Sequence, residues 1–166
     1  MNYKTTINRK NWLIVMFAFI FAAATISYAI TDYPEETKKK IKAMKEDAHA
    51  KKDMPESLSG IQTINGEDAM KMLKSKKAAA IDCRIKTQYD TEKIPRAEWL
   101  LPEELINNPM IVDKLDKEKE YILYCSSSTC WRSPATALML QSLGFKNIYW
   151  YRDGLRDWKD KGFPTD

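Results

Sequence analysis

The chain has 166 residues, 44% apolar and 30% charged, which suits one folded domain of ordinary size plus an appendage. The formal charge is +4, but Lys4, Arg9 and Lys10 precede the first acidic residue, Asp32; without them, 24 of the 27 basic residues face 23 acidic ones. The remainder is near neutral, with no basic stripe for a nucleic acid, so no nucleic-acid partner is expected.

Residues 1–31 read as a targeting segment. Lys4, Arg9 and Lys10 form a positive stretch, Trp12 to Thr25 is the apolar run "WLIVMFAFIFAAAT", and Ser27-Tyr28-Ala29 places small residues where a signal peptidase reads. A cleaved secretory signal fits this pattern. So does an uncleaved anchor, because Asn11 to Thr31 is uncharged and a bilayer-spanning helix needs about 20 residues. In the second case residues 12–30 associate with the membrane. The charge asymmetry places the domain outside in either case, which in a bacterium is the periplasm, soluble or tethered to the inner membrane.

Residues 32–59 are charged and short of large apolar side chains. Asp32 is a candidate helix cap ahead of Pro34, Glu35 and Glu36. Only Ile41, Met44 and Ala48 recur at helical spacing, so a solvated helix or flexible spacer is expected, with a partner-binding helix as the alternative.

From Gly60 the pattern becomes that of a domain, residues 60–166. Ile61 to Ile64 is a short strand, and Asn65-Gly66 leads into a helix with Ala69, Met70 and Leu73 on one face. Ala78 to Asp82 is a buried strand, Thr87 to Lys93 a helical turn, and Glu98 to Leu101 a short strand stopped by Pro102. Pro102 opens the helix "PEELIN", and Ile111, Val112 and Leu115 hint at another short one. "EYILYC" is a strong strand. Pro134 to Leu143 is a helix with Ala135, Leu138 and Met139 inward and Gly144 as its cap. Asn147 to Tyr151 is a strand, and "DGLRDWKDKG" a closing helix with Leu155 and Trp158 inward. Strands alternating with helices predict an α/β fold: a parallel sheet with helices on both faces. Ligands in such sheets bind beyond the carboxyl ends of the strands, where Cys125 and the run Asp82-Cys83-Arg84 both fall.

His49 is the only histidine and sits in a Lys-rich stretch, which removes most imidazole metal sites and any Cys–His pair in the domain; no metal is expected. The three cysteines, Cys83, Cys125 and Cys130, are too few for a disulfide scaffold. Cys125 stands out because a polar loop follows it: Ser126, Ser127, Ser128, Thr129, Cys130, Trp131 and Arg132. A free thiol is only about 3% thiolate at pH 7. Loop N–H groups from Ser126 to Trp131, a helix start at Ser133-Pro134 and the Arg132 cation would each favour the anion, and the same cradle suits an incoming oxyanion. The bland reading, a small buried hydrophobe at a strand end, fits Cys83 better than Cys125. Cys130 reads as a resolving thiol, a loop-filling side chain or a second nucleophile, and Trp131 as a packing anchor or a substrate platform.

The stretches "AAAIDCR", "IPRAEWL", "YILYCSSSTCWRS" and "LGFKNIYWYRDGLRDWKDKGFP" resemble, in this order, the rhodanese-like sulfurtransferase domains, over Gly60 to Pro164. The Cys-x4-Cys-Trp loop is similar to that of an exported branch associated with pyrroloquinoline-quinone-dependent catabolism. The resemblance implies a central parallel sheet of about five strands with helices on both faces. It also implies Cys125 as the nucleophile that takes sulfur from a small sulfane donor, holds it as a covalent persulfide without other cofactor, and passes it to a thiol or other thiophilic acceptor. Common single-domain members return to a residue five after the cysteine, which here is Cys130, with Arg132 two further on; their Asp-x-Arg survives as Asp82-Cys83-Arg84, a support for the rim. Three functions follow from these readings: a sulfurtransferase or persulfide carrier on Cys125, a thiol–disulfide redox protein using Cys125 and Cys130 with a periplasmic redox partner, or a non-catalytic binding module. Phosphatases of the Cys-x5-Arg kind use a related fold, but the spacing here is Cys-x6-Arg.

Overall fold

The computed structural model describes residues 32–166; residues 1–31, expected to be a targeting segment, lie outside the described residues. In chain order the elements are α1 (Glu35–His49), β1 (Gln62–Ile64), α2 (Gly66–Lys74), β2 (Ala78–Asp82), α3 (Lys86–Thr91), β3 (Glu98–Trp99), α4 (Pro102–Asn107), a 3-10 turn (Pro109–Val112), β4 (Glu120–Tyr124), α5 (Arg132–Ser142), β5 (Ile148–Tyr151) and α6 (Gly154–Asp160). Among the described residues no helix is long and apolar enough to cross a membrane.

The five strands form one parallel sheet in the order β1-β5-β4-β2-β3. Both faces are covered, so the strands read as apolar runs, yet successive side chains still part to opposite sides. Tyr121 and Leu123 of β4 join one core with Ile81, Trp150 and the helices α1, α4 and α5. Ile122 and Tyr124 join the other, with Ala80, Tyr151 and the helices α2 and α6. The helix starts follow local chemistry. Asn65 Oδ1 accepts from Asp68 N at 2.8 Å, and Pro102 occupies the first turn of α4, where a missing N–H costs nothing. Gly144 follows α5 at φ 88°, a left-handed cap that glycine adopts without strain.

The segment 32–59 departs from the sequence expectation of a solvated spacer. Residues 32–166 form one compact unit. Tyr33, Ile41, Met44, Met54 and Leu58 are buried in the same core as α5 and β4. The Tyr33 hydroxyl donates to Leu105 O at 2.9 Å. A thin stripe suffices because the partner surface is already apolar: Ser133 to Leu140 are all buried, so α5 is covered on its outer side as well as its inner one. Asp32 is not the side-chain cap of α1; Pro34 holds the cap position and Asp32 pairs with Lys38. Helix α5 begins at Arg132, two residues before the expected Pro134.

Candidate active site

Strands β2 and β4 are neighbours, but the chain leaves β2 toward β3 on one side and β4 toward β5 on the other. The crevice beyond their carboxyl ends is the topological switch point of the sheet. Asp82 and Tyr124 are paired in register there, and the Cys83 N–H donates to Tyr124 O at 3.0 Å. The two strand ends singled out in the sequence therefore meet on one rim.

Cys125 is 1% exposed and is disulfide-bonded to the partly exposed Cys130, with Cα atoms 6.2 Å apart. The six-residue loop folds tightly enough to bring the two together because it is held from three directions. Helix α6 holds its start: Leu155 N donates to Cys125 O at 2.8 Å and Arg156 N to Ser126 O at 3.0 Å. Gly154, at φ 66°, makes this approach possible, since a Cβ there would run into the Cys125 carbonyl oxygen. Residues after α1 hold its middle: Met54 N donates to Ser128 O at 2.8 Å, and the Ser128 hydroxyl donates to Asp53 at 2.5 Å. Within the loop Cys130 N donates to Ser127 O at 3.1 Å, and the Ser127 and Thr129 hydroxyls lie 3.1 Å apart. The N–H groups of Ser127, Ser128 and Thr129 find no acceptor among the described residues, leaving donors free for an anion.

Arg132 does not stand free beside the sulfur. Its Nε and a terminal nitrogen bond Glu103 at 2.9 and 2.8 Å, and its guanidinium lies 5.4 Å from the Trp131 ring centroid. Lys45 of α1 covers the same ring at 4.5 Å, and Trp131 packs, partly buried, against the core. Asp82 and Arg84 form a buried fork: Arg84 Nε reaches both carboxylate oxygens at 3.0 and 3.1 Å, and a terminal nitrogen reaches Oδ2 at 2.6 Å. The Tyr124 hydroxyl donates to the same carboxylate at 2.7 Å, and burial pushes its ionisation far up. This network ties the carboxyl ends of β2 and β4 together at the crevice. Cys83 is fully buried, and burial pushes its thiol up, so it stays protonated and outside the pair.

Ser126 borders a cleft of about 290 Å³ lined by Arg84, Glu92, Leu155, Arg156, Lys159 and Asp160. Arg84 is held by Asp82 and Lys159 by Glu92, while Arg156 makes no ion pair among the described residues. A larger apolar cavity of about 640 Å³ lies among Met70, Leu73, Ile94, Trp158 and Pro164, and none of the cysteine loop lines it. No group of three or more His, Cys, Asp or Glu that could hold a metal occurs among the described residues. Sequence reading missed Asp53, Met54 and Glu103, which act on the loop from distant segments with no local pattern to mark them.

The Rhodanese-like domain family matches residues 65–161, more than half the chain. The chain belongs to that family. Among solved structures, this rhodanese-like chain is similar to a rhodanese-related protein of Thermoplasma volcanium, at 25% identity and TM-score 0.55, over 63% of this chain and 97% of that one. It shares its fold with a Bacillus halodurans protein, at 21% identity and TM-score 0.58, over 63% and 76% of the two chains. It also shares it with a Rhodopseudomonas palustris protein of unknown function, described as a possible tyrosine phosphatase, at 23% identity and TM-score 0.55, over 76% and 93%. Comparison with curated proteins returned no match. At the level of the family, the match supports a sulfurtransferase-type or rhodanese-fold protein.

Proposed function

We propose that this rhodanese-like chain works on sulfur through a two-thiol site, with Cys125 as the reactive sulfur and Cys130 as its intramolecular partner. The observation that carries this reading is the Cys125–Cys130 disulfide, whose 6.2 Å Cα separation lies within the range a disulfide spans. In that form the nucleophile is stored: Cys125 is buried, and an incoming thiol meets Cys130 first. Reduction frees Cys125 at the switch point of the sheet, under the start of α5, where the helix dipole and the free loop donors favour a thiolate.

A second reading is favoured by the family itself. The reduced protein acts as a persulfide carrier on Cys125, taking sulfur from a small sulfane donor and handing it to a thiol or other thiophilic acceptor, with Cys130 as a bystander. The narrower reading adds export. The charged and apolar pattern of residues 1–31 supports a periplasmic location, soluble or tethered, where exposed thiols oxidise and a redox protein would serve as partner. The Cys-x4-Cys-Trp loop supports a relationship to pyrroloquinoline-quinone-dependent catabolism.

Intact-mass analysis with and without reductant tests the central proposal. Wild-type protein is expected to cycle between a form with two extra alkylatable thiols and one with none, and Cys130→Ala to lose the cycle. A wild-type chain whose Cys125 and Cys130 stay alkylatable after treatment with diamide would sink it.

A further inference from the structure

The site's substrate class follows from what Cys130 does to a sulfur held on Cys125. We infer that the chain reduces sulfane sulfur to sulfide: Cys125 accepts the sulfur as a persulfide and Cys130 expels it. This rests on the two-thiol reading above and adds to it a substrate, a product and a required reductant.

Cys130 lies five residues from Cys125, and the folded loop brings the two sulfurs into bonding contact. A thiol so placed attacks Cys125 Sγ without diffusion, and well-oriented intramolecular groups reach effective concentrations of about 10⁵ M or more. No dissolved acceptor competes with that. A persulfide on Cys125 is therefore a short-lived intermediate in this chain. Burial points the same way. With the disulfide closed, Cys125 is 1% exposed and Cys130 partly exposed, so an outside thiol has a route to Cys130 and none to the inner sulfur, and displacement at Cys125 Sγ, the step that releases sulfide, falls to the loop neighbour. The third thiol, Cys83, is buried and protonated and offers no alternative route.

Each step balances. The Cys125 thiolate attacks the outer sulfur of a sulfane donor such as thiosulfate. A Cys125 S–S bond forms, the donor's S–S bond breaks, and sulfite departs with the electron pair. The Cys130 thiolate then attacks Cys125 Sγ. The Sγ–Sγ bond forms, the bond to the outer sulfur breaks, and hydrosulfide leaves. The transferred sulfur has gained two electrons, and the two cysteines have lost two. An external dithiol restores them: its first thiolate attacks the more exposed Cys130 sulfur and releases Cys125 as thiolate, and its second displaces the mixed disulfide. The net reaction is sulfane sulfur plus dithiol to sulfide plus disulfide. The cleft beside Ser126 is lined by three cations, Arg84, Arg156 and Lys159, against two carboxylates, Glu92 and Asp160, a balance that suits a small anionic donor.

The test uses the full chain, reduced and freed of reductant, with thiosulfate as the only donor. Wild type is expected to release one sulfide per chain and close the Cys125–Cys130 disulfide. Cys130→Ser and Cys130→Ala are expected to gain the mass of one sulfur atom and release no sulfide, and Cys125→Ser to do neither. Added dithiothreitol should make sulfide release by wild type catalytic and leave Cys130→Ser at least ten-fold slower. Wild type that accumulates the persulfide as Cys130→Ser does would overturn the inference, and so would a chain that takes up no sulfur at all. Neither result touches the two-thiol reading, which diamide oxidation of the same sample decides separately.

Discussion

Position 154 controls how closely α6 approaches the cysteine loop. The left-handed φ of 66° and the contact with the Cys125 carbonyl leave no room for a side chain. Gly154→Ala is expected to destabilise the fold by about 1–3 kcal/mol, the usual cost of a forced left-handed residue, and to shift the loop. Urea unfolding gives the first effect and the alkylation rate of reduced Cys130 the second. At the rim, Arg84 and Asp82 are 5% and 0% exposed and hold each other through charge-assisted bonds. Removing one partner strands a buried charge, so Arg84→Ala is expected to cost about 3–5 kcal/mol, read as a lower urea midpoint. An Arg84→Ala chain as stable as wild type would show that the carboxylate finds water or another donor. These residues carry sequence signals of different strength. Asp82-Cys83-Arg84 was legible as a strand end, whereas the role of Gly154 depends on a carbonyl 29 positions away in the chain.

Helix α1 joins the domain to the loop through the residues that follow it. Ile41 and Met44 are each 5% exposed against α5, and the connection continues through Asp53 and Met54 to Ser128. Truncating Ile41 to alanine removes buried methylenes and leaves a cavity, with an expected loss of about 2–5 kcal/mol. The same variant is expected to alkylate Cys130 faster when reduced, because the loop loses its brace; an unchanged rate would mean that α6 alone holds the loop. In sequence, α1 looked solvated because its apolar stripe is narrow. The stripe is narrow because α5, already buried against the sheet, supplies most of the apolar surface of the contact.

At the scale of the molecule, two conditions set stability. The disulfide closes a loop of only about six residues, so in the chain-entropy account reduction costs about 2 kcal/mol, and the sheet, which it does not cross-link, survives. Thermal melts with and without reductant are expected to show one cooperative transition each, the reduced one a few degrees lower. A reduced chain that fails to fold would contradict this. Alkaline pH is the second condition. Burial raises the ionisation of Tyr33 to about 12, and lifts Tyr124 and Tyr151 further. Their unfolded value is about 10, so the unfolded chain loses these protons first. The stability they contribute is complete below about pH 10 and is lost as pH rises through the folded values. Tyrosinate absorbance is expected to appear in two phases, the second coinciding with unfolding.

The strand pattern, the helix starts at Asn65 and Pro102 and the polar loop after Cys125 were readable because each depends on neighbours within a few residues. They determined the α/β class and the common rim of the two strand ends, and they marked Cys125 as the cysteine on which the proposed chemistry turns. Tertiary structure decided the rest. It brought Cys130 onto Cys125, turned Arg132 toward Glu103, and drew residues 32–59 into the core. Those outcomes depend on surfaces that exist only after the sheet has formed: α6 against the Cys125 carbonyl, α4 presenting Glu103, and α5 offering its outer face to Ile41 and Met44. No local periodicity encodes a contact between segments tens of residues apart, so Cys125 stood out in the sequence, whereas its bond to Cys130 belongs to the fold.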